Sequence, residues 1–307
     1  MPGPSRSFAR MGRDRNLAGN AELKGVIAQP LAPPFVVHDA GVLASAIVLR
    51  PTGAIDQLAP IKGEPSAIAE RALEAHAILV ATLRDRGVAV TVLDPALDLP
   101  SESLVADCAV LLPQGAVIAR PSAVERRIET RAIEAALDAQ GIPIVGRIEA
   151  PGLLDATDVT LNGDVVYVGV PRAGAGLRAR SNEFGRKQLE AIAAQYGITT
   201  IELALAPEVL RLRNVFNFIG RETVVVASEL VDIVQLSNLK TVEVPRGEEF
   251  AAGVLALGEC RILANLRYRE SVAVFRKAKV AVEAIDLWEF GKVGAGPFSL
   301  VLAVKRG

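Results

Sequence analysis

Residues suited to nucleophilic and acid–base chemistry are scarce in this 307-residue chain, which has two cysteines, Cys108 and Cys260, and two histidines, His38 and His76. The cysteines lie far apart, and no cluster of metal-ligating residues has a usable spacing. We therefore expect neither a disulfide framework nor a zinc site. Cys260 follows the turn Gly258–Glu259, where a buried free thiol is the simplest interpretation. We also expect no cofactor and a reducing, cytoplasmic location.

The composition narrows the classes of partner. Half of the residues are hydrophobic, which is enough for a substantial core, and the formal net charge is −1. Such a balance gives no basic field, so nucleic acid is not expected as a partner. No apolar run is long enough to span a bilayer, and no membrane partner is expected. Residues 1–45 are rich in arginine and proline, which predicts a loosely ordered extension that could wrap onto the body or onto a partner.

From residue 46 onwards, a pattern of strand, turn, strand, helix and strand recurs about five times, at a spacing of roughly fifty residues. The third cycle shows it clearly. Val159 to Leu161 and Val165 to Val168 flank an Asn-Gly hairpin turn, and a helix from Asn182 to Tyr196 precedes a strand from Thr199 to Leu203.

Each repeat by itself has too little core to be stable, and closure around an axis would bury the open faces and the sheet edges. The pattern therefore predicts that residues 46–307 form one five-bladed α/β domain. A single doubly wound sheet is the alternative fold.

Eight segments, in order and at near-constant spacing, resemble motifs of the guanidino-group-modifying enzymes, in particular the dimethylarginine dimethylaminohydrolases of the pentein superfamily. The resemblance covers residues 46–304. The segments are Ala72–His76 (first helix), Leu104–Asp107 ("F-V-E-D"), Ala116–Pro121 with Glu125–Thr130 ("I-x-R-P … x-R-R-x-E"), Pro151–Val159 ("P-G-x-x-E-x-G-D-V"), Ala179–Asn182 ("x-R-T-N"), Val209–Arg213 ("V-L-H-L-K"), Glu249–Gly253 ("E-x-Y-A-A-N") and Val293–Leu300 ("I-D-G-G-x-x-C-L").

The resemblance implies a propeller of five ββαβ-type units with the active site in a central cavity. In such enzymes a pair of carboxylates holds the planar guanidinium of the substrate, a cysteine thiolate attacks its carbon, and a histidine moves protons. The carboxylate positions correspond to Asp107, Asp155 and Asp158. The positions that bind the amino-acid end of the ligand correspond to Arg120 and Arg180.

The catalytic pair departs from the family pattern. Ser299 stands at the cysteine position, and Arg211 stands at the histidine position. Gly294 replaces the aspartate before the cysteine, and Gly253 replaces the pocket asparagine. An arginine does not deprotonate near neutral pH, and a serine hydroxyl needs a base that the sequence does not supply.

Arg211 places a guanidinium in a pocket built for one, so we predict that it pairs with Asp155 or Asp158 as a built-in substrate mimic. The alternative is a place on the partly solvated rim of the cavity. Cys108 follows Asp107 directly, and strand alternation would point it away from the pocket, which makes it a weak substitute nucleophile.

The neighbouring arginines also have structural interpretations. Arg120 is expected either to bind ligand or to form a surface ion pair with Glu125 or Glu129. Arg126 and Arg127 are expected on a solvated helix face.

The sequence thus favours a member of this family that does not hydrolyse its ligand. It would bind a small guanidino or amino-acid ligand, or serve as a homo-oligomer or a degenerate subunit beside a paralogue. An enzyme with altered chemistry on a guanidino C–N bond is the second possibility. A non-enzymatic interaction module is the third, because the fold alone does not imply catalysis.

Overall fold

The computed structural model describes residues 30–171 and 180–307. Within these ranges the chain forms five sheets of three strands each. The strands are β1 (Leu43–Leu49), β2 (Ala89–Leu93), β3 (Ala109–Leu112), β4 (Gly115–Ile118), β5 (Ile144–Arg147), β6 (Val159–Asn162), β7 (Val165–Pro171), β8 (Thr199–Leu205), β9 (Phe216–Gly220), β10 (Thr223–Val226), β11 (Lys240–Glu243), β12 (Leu255–Gly258), β13 (Arg261–Asn265), β14 (Ala281–Ile285) and β15 (Leu302–Arg306). The α-helices are α1 (Ala69–Asp85), α2 (Glu129–Ala139), α3 (Glu183–Ala194), α4 (Leu212–Val215), α5 (Arg269–Lys277) and α6 (Trp288–Gly291).

All five sheets share one mixed topology. The middle strand pairs with one antiparallel strand and with one parallel strand, and in four of the sheets a hairpin joins the antiparallel pair, as in β6-β7-β8. The hairpin between β6 and β7 turns at Gly163, whose φ of +66° suits glycine. The first sheet is completed by the last strand of the chain, because β15 pairs antiparallel with β1. Both ends of the repeat region are therefore held in one sheet.

Neighbouring sheets touch mainly through their antiparallel strands. Strand β15 contacts β3, β6 contacts β9, and β9 contacts β12, which in turn contacts β1. The 3₁₀ turn Ala156–Asp158, just before β6, contacts β3 and so joins the second and third sheets. Because no sheet in the described ranges has more than three strands, one continuous doubly wound sheet is excluded.

The helices pack apolar faces against these sheets. Helix α1 buries Ala72, Leu79 and Leu83, and its alanine-rich, leucine-rich sequence has a high helix propensity. No helix among residues 30–171 and 180–307 is long and apolar enough to cross a bilayer.

Two features of the fold differ from the predicted ones. The part of the predicted extension that the structure describes packs on the body: Phe35 and Val36 are buried, and β1 already begins at Leu43. Apolar burial outweighs the prolines there, while residues 1–29 lie outside the described residues. In the fourth repeat, the helix that the repeat pattern predicts is replaced by a 3₁₀ turn, Val234–Leu236, since β-branched residues crowd that segment.

Candidate functional site

The predicted site residues lie far apart in sequence but at equivalent places in the repeats. Asp107 ends the 3₁₀ turn before β3, and Asp155 and Asp158 bracket the start and end of the turn before β6. Arg211 precedes α4 and β9, and Ser299 lies in the turn before β15. The site is thus built where the antiparallel strands begin, which brings together residues that local sequence does not relate.

Arg211 is the centre of this arrangement. Its side chain is 2 % exposed, so it does not lie on a solvated rim. Its Nη2 lies 2.9 Å from Asp107 Oδ2, and its Nη1 donates to the Gly294 carbonyl oxygen at 3.1 Å. Its Nε lies 3.6 Å from Asp155 Oδ2. Of the two acids predicted as partners, Asp155 is within ion-pair distance, but the main partner is Asp107.

Six side chains of alternating charge continue from this pair, and we call them the ion-pair chain: Glu129, Arg126, Asp107, Arg211, Asp155 and Arg180. Arg126 Nη2 lies 2.9 Å from Glu129 Oε2. Arg126 Nη1 lies 2.7 Å from Asp107 Oδ2, and Arg180 Nη1 lies 3.0 Å from Asp155 Oδ2. Each guanidinium therefore neutralises the carboxylates beside it, as buried charges require.

Thr157 ties the two central carboxylates together. Its hydroxyl lies 2.9 Å from Asp107 Oδ1 and 2.6 Å from Asp155 Oδ1. Its backbone N–H also donates to Asp155 Oδ1, so Asp155 caps the turn that positions it. Arginine side chains contact the Oδ2 atoms of both carboxylates. All four oxygens of Asp107 and Asp155 therefore have a hydrogen-bond or ion-pair partner.

The pKa values follow from these contacts. Burial opposes ionisation of Asp107, but the guanidinium groups of Arg211, Arg126 and Arg180 outweigh it and hold its pKa well below the usual range. Burial likewise opposes the charge on Arg211, yet Asp107 and Asp155 raise the pKa of that guanidinium. Both groups are therefore ionised at neutral pH.

Asp158 behaves differently, because it does not contact Arg211. Its Oδ2 accepts from the Ser181 hydroxyl at 2.6 Å, and its Oδ1 accepts from the Leu212 N–H at 3.1 Å. Burial, and next the Asp155 carboxylate, raise the pKa of Asp158 to about 7. This carboxyl group joins the segments that carry Arg180 and Arg211.

Ser299 is completely buried, and its hydroxyl has no hydrogen-bond partner in the described part of the chain. Neither histidine faces it as a base. His38 pairs with Asn162 through its backbone, and His76 is buried on α1, where burial lowers its pKa to about 4. A serine without a base is not a competent nucleophile.

Cys108 is equally unsuited to attack. It is buried, and burial raises the pKa of its thiol far above the ordinary value. The thiolate, which is the nucleophilic form, is therefore not populated near neutral pH.

Arg120 and Arg180 lie on either side of residues 152–155. Arg120 pairs with Leu154 through its backbone, and its Nη1 donates to the Gly152 carbonyl oxygen at 3.1 Å. On the other side, the Ser181 hydroxyl accepts from the Asp155 N–H. The Arg180 side chain is 28 % exposed. Ala179, the first residue of that motif, lies outside the described residues.

Two replaced positions also shape the site. The carbonyl oxygen of Gly294 accepts from Arg211, and its φ of +74° suits glycine. A side chain at Gly253 would crowd Phe298, because an added Cβ would lie 3.0 Å from its ring. An asparagine at this position would therefore require Phe298 to shift by a few tenths of an ångström.

The expectation for Arg126 was wrong. Its side chain is buried between Asp107 and Glu129 rather than solvated, because the turn before α2 points it into the site. Arg127 Nε instead donates to the Pro121 carbonyl oxygen, and Glu129 pairs with Arg126 rather than with Arg120. An arginine three residues before a glutamate on a helix was the available signal for the Arg126–Glu129 pair.

Comparison with known proteins identifies relatives of this chain. No protein-family model matches it. It is 28 % identical over 226 residues to the N(G),N(G)-dimethylarginine dimethylaminohydrolase of Pseudomonas aeruginosa, covering 74 % of this chain and 85 % of the relative. It is 31 % identical over 222 residues to the enzyme of the same name from Streptomyces coelicolor, covering 72 % and 81 %.

Solved structures agree with these relatives. A variant of the Pseudomonas aeruginosa enzyme complexed with citrulline superposes with a TM-score of 0.77 at 26 % identity, covering 85 % of this chain and 99 % of that one. A saxitoxin-pathway amidinotransferase from Microseira wollei shares the fold, with a TM-score of 0.73 at 14 % identity over 90 % and 98 % of the two chains. The chain therefore belongs to the dimethylarginine dimethylaminohydrolase family of the pentein superfamily.

Proposed function

We propose that this protein is a non-hydrolytic member of its family, in which the guanidinium of Arg211 takes the place of the guanidinium of a substrate. The observation that carries the proposal is the position of that group. It is buried, it lies 2.9 Å from Asp107, and it lies 3.6 Å from Asp155. A planar cation with fixed donors is the ligand that such a carboxylate pair suits.

The reaction chemistry supports the same proposal. The hydrolysis that the family resemblance implies uses a thiolate to attack the guanidinium carbon, an acid to protonate the leaving amine, and a base to activate water. Ser299 and Arg211 stand at the two family positions, and neither supplies these functions. Residues that act as a unit leave little activity when both are lost.

In this proposal the five sheets are the blades of one propeller that spans residues 43–307, from the start of β1, with the ion-pair chain at one end of its axis. The role left to the protein is to bind a small guanidino or amino-acid ligand, or to act as a degenerate subunit in a homo-oligomer or beside a catalytic paralogue. The surroundings would be cytoplasmic, where the free thiols Cys108 and Cys260 stay reduced.

One observation favours a second candidate function, an enzyme with altered chemistry on a guanidino C–N bond. Asp158 is a buried carboxyl group with a pKa of about 7, which suits a general acid or base. Against it, both Asp158 oxygens already accept hydrogen bonds, from Ser181 and from the N–H of Leu212.

The test is formation of ureido product from arginine, methylated arginines and agmatine. We expect none from the natural protein, and none from Ser299→Cys alone, because Arg211 still fills the pocket. The double variant Arg211→His with Ser299→Cys should form product, since it restores the nucleophile and the proton carrier and also vacates the site.

Adding Asp107→Asn to the double variant should abolish that product by removing the anchor for the guanidinium. Product from the natural protein would overturn the proposal and favour the altered enzyme. A further Asp158→Asn change would then show whether Asp158 is its base.

A further inference from the structure

A small cavity, which we call the inner cavity, lies between the first strands of the second and third sheets, β3 and β6, and the last strand of the chain, β15. Its volume is about 40 Å³, which is room for about three water molecules. Ala106 and Ala156 line it, and these residues adjoin Asp107 and Asp155 in the chain. The inner cavity therefore lies beside the ion-pair chain.

Three polar side chains line the inner cavity, and its other walls are apolar. The polar residues are Asp39 from the segment before β1, Thr160 from β6 and Arg213 from α4. Apolar walls with a few polar groups that point inward are typical of sites that bind small ligands.

Arg213 supplies hydrogen-bond donors to the inner cavity. Its Nε donates to Asn217 Oδ1 at 2.9 Å, and the carbon of its guanidinium lies 5.3 Å from the centre of the Phe298 ring. These two contacts hold the plane of the group. Its Nη1 and Nη2 atoms donate to no residue within the described ranges. A guanidinium with two free Nη groups pairs well with two oxygens of a planar anion.

Asp39 supplies an acceptor on the opposite side. Its Oδ2 accepts from the Thr160 hydroxyl at 2.6 Å and from the Leu161 N–H at 3.0 Å. Its Oδ1 accepts no hydrogen bond from the residues that the structure describes. Burial opposes ionisation of Asp39, but Arg213 and next Arg306 outweigh it and lower its pKa. An ionised carboxylate only accepts hydrogen bonds, so Oδ1 needs a donor from whatever fills the inner cavity.

The charges around the inner cavity do not balance. Arg213 and Arg306 both act on the single carboxylate of Asp39, although neither forms a direct ion pair with it in the described part of the chain. His38 is neutral, because its Nδ1 accepts from the Ala40 N–H. The ion-pair chain has three acids and three arginines and is balanced by itself. One positive charge is therefore left over, and a monoanion would compensate it.

We infer that the inner cavity binds a small planar monoanion that carries one O–H group, and that bicarbonate is the member of this class that fits. Two of its oxygens accept from the Nη groups of Arg213, and its O–H donates to Asp39 Oδ1. Nitrate has the same shape and charge but no hydrogen to donate, so it would place an oxygen against the Asp39 carboxylate. The space of about three water molecules excludes an amino acid. This site goes beyond the proposed function and does not rest on it.

The test is thermal unfolding of the full chain at pH 8 in bicarbonate and in nitrate, at equal ionic strength and up to about 50 mM, because a ligand that binds only the folded state raises Tm. Arg213→Gln removes the paired donors and measures the general effect of each salt. After subtraction of that effect, we expect a saturable rise in bicarbonate. Nitrate should need a concentration at least about ten-fold higher, because a hydrogen bond to a charged group is lost.

Asp39→Asn should remove the preference for bicarbonate. The amide oxygen of the new side chain can keep the hydrogen bonds from Thr160 and Leu161, while its NH₂ group donates into the cavity. Nitrate should then bind at least as tightly as bicarbonate. The matched control Arg246→Gln, which changes an exposed arginine paired with Glu229, should respond like the natural protein.

The inference would be overturned if the natural protein showed no bicarbonate response beyond that of Arg213→Gln, or an equal response to nitrate. A preference for bicarbonate that persists in Asp39→Asn would also overturn it. If Arg213→Gln does not fold, Arg213→Lys takes its place, because it keeps the charge but loses the paired donors, and should bind bicarbonate more weakly. Ureido product from the natural protein would refute the proposed function but not this site, since Arg211 and Ser299 take no part in it.

Discussion

Two buried arginines, Arg211 and Arg306, lie at opposite ends of the antiparallel strands, and each is 2 % exposed. Arg211 precedes β9 and contacts two carboxylates. Arg306 ends β15, and its Nη1 donates only to the carbonyl oxygens of Gly41 and Ala256. The same side chain at the same burial therefore has ionic partners at one end and neutral partners at the other.

The pKa values of the two arginines move in opposite directions. Burial disfavours both charges, but Asp107 and Asp155 raise the pKa of Arg211. Burial lowers the pKa of Arg306 to about 10, since the nearby Asp39 compensates only in part. The partners, rather than the depth of burial, therefore make the pocket end a stable place for a guanidinium.

The largest effect should come from removing each arginine in turn. Arg211→Met leaves two buried carboxylates short of a counter-charge, which should lower the free energy of unfolding by about 3–5 kcal/mol. Arg306→Met removes the donor that the carbonyl oxygens of Gly41 and Ala256 share. This change should lower the free energy of unfolding by about 1–3 kcal/mol. Urea denaturation at pH 7 measures both, with Arg246→Met as a surface control. An equal or larger loss for Arg306→Met would show that the ionic partners of Arg211 do not make it the more stabilising arginine.

The next effect concerns Asp158, a carboxyl group of the site without an arginine partner among the described residues. Its folded pKa of about 7 exceeds the ordinary 3.8, so the folded state keeps a proton that the unfolded state releases. Its contribution is therefore most favourable at low pH and is lost as the pH rises towards 7, by at most about 4 kcal/mol.

Asp158→Asn should consequently stabilise the protein at pH 8, with a gain that shrinks as the pH falls to 5. Denaturation curves at several pH values measure the difference, and Asp56→Asn on the exposed turn before α1 is the control. A loss of stability in Asp158→Asn at pH 8 would show instead that Asp158 is ionised and favourably paired like Asp107.

A smaller effect should come from His76, whose Nε2 is buried without a partner in the described ranges. Burial lowers its pKa from 6.5 to about 4. The unfolded state thus binds the proton first, and stability falls as the pH drops from 6.5 towards 4, by at most about 3 kcal/mol. His76→Leu should reduce that loss. Thermal unfolding at pH 7 and pH 5 compares the variant with the natural protein, and an unchanged difference would contradict a neutral His76.

Much of the fold could be predicted from sequence because its signals are local. Hairpin turns such as Asn162-Gly163 and helix ends such as Gly141 recur in most of the repeats, so five strand-containing units could be read before any contact was known. The fourth repeat was the exception, because its helix is replaced by the 3₁₀ turn Val234–Leu236. There, the β-branched residues Val231, Ile233 and Val234 weaken the local preference for a helix.

The pairing within the site could be predicted only in part. The family pattern brought Arg211 and the acids into one pocket, but 104 residues separate Arg211 from its main partner, Asp107. No local rule states which acid an arginine will reach across a pocket. For the same reason the burial of Arg126 and the bridge made by Thr157 were missed, since both depend on how separate turns meet.

Because the pocket holds the guanidinium of Arg211, the Arg211→Ala variant should leave a vacant site that a free guanidinium ion can fill. Thermal unfolding of this variant would be followed with guanidinium chloride at about 20 mM, against sodium chloride at equal ionic strength, because a ligand that binds only the folded state raises Tm. We predict a saturable rise for Arg211→Ala, and none for the natural protein or Arg306→Ala. The same response in all three proteins, or none in Arg211→Ala, would contradict the account.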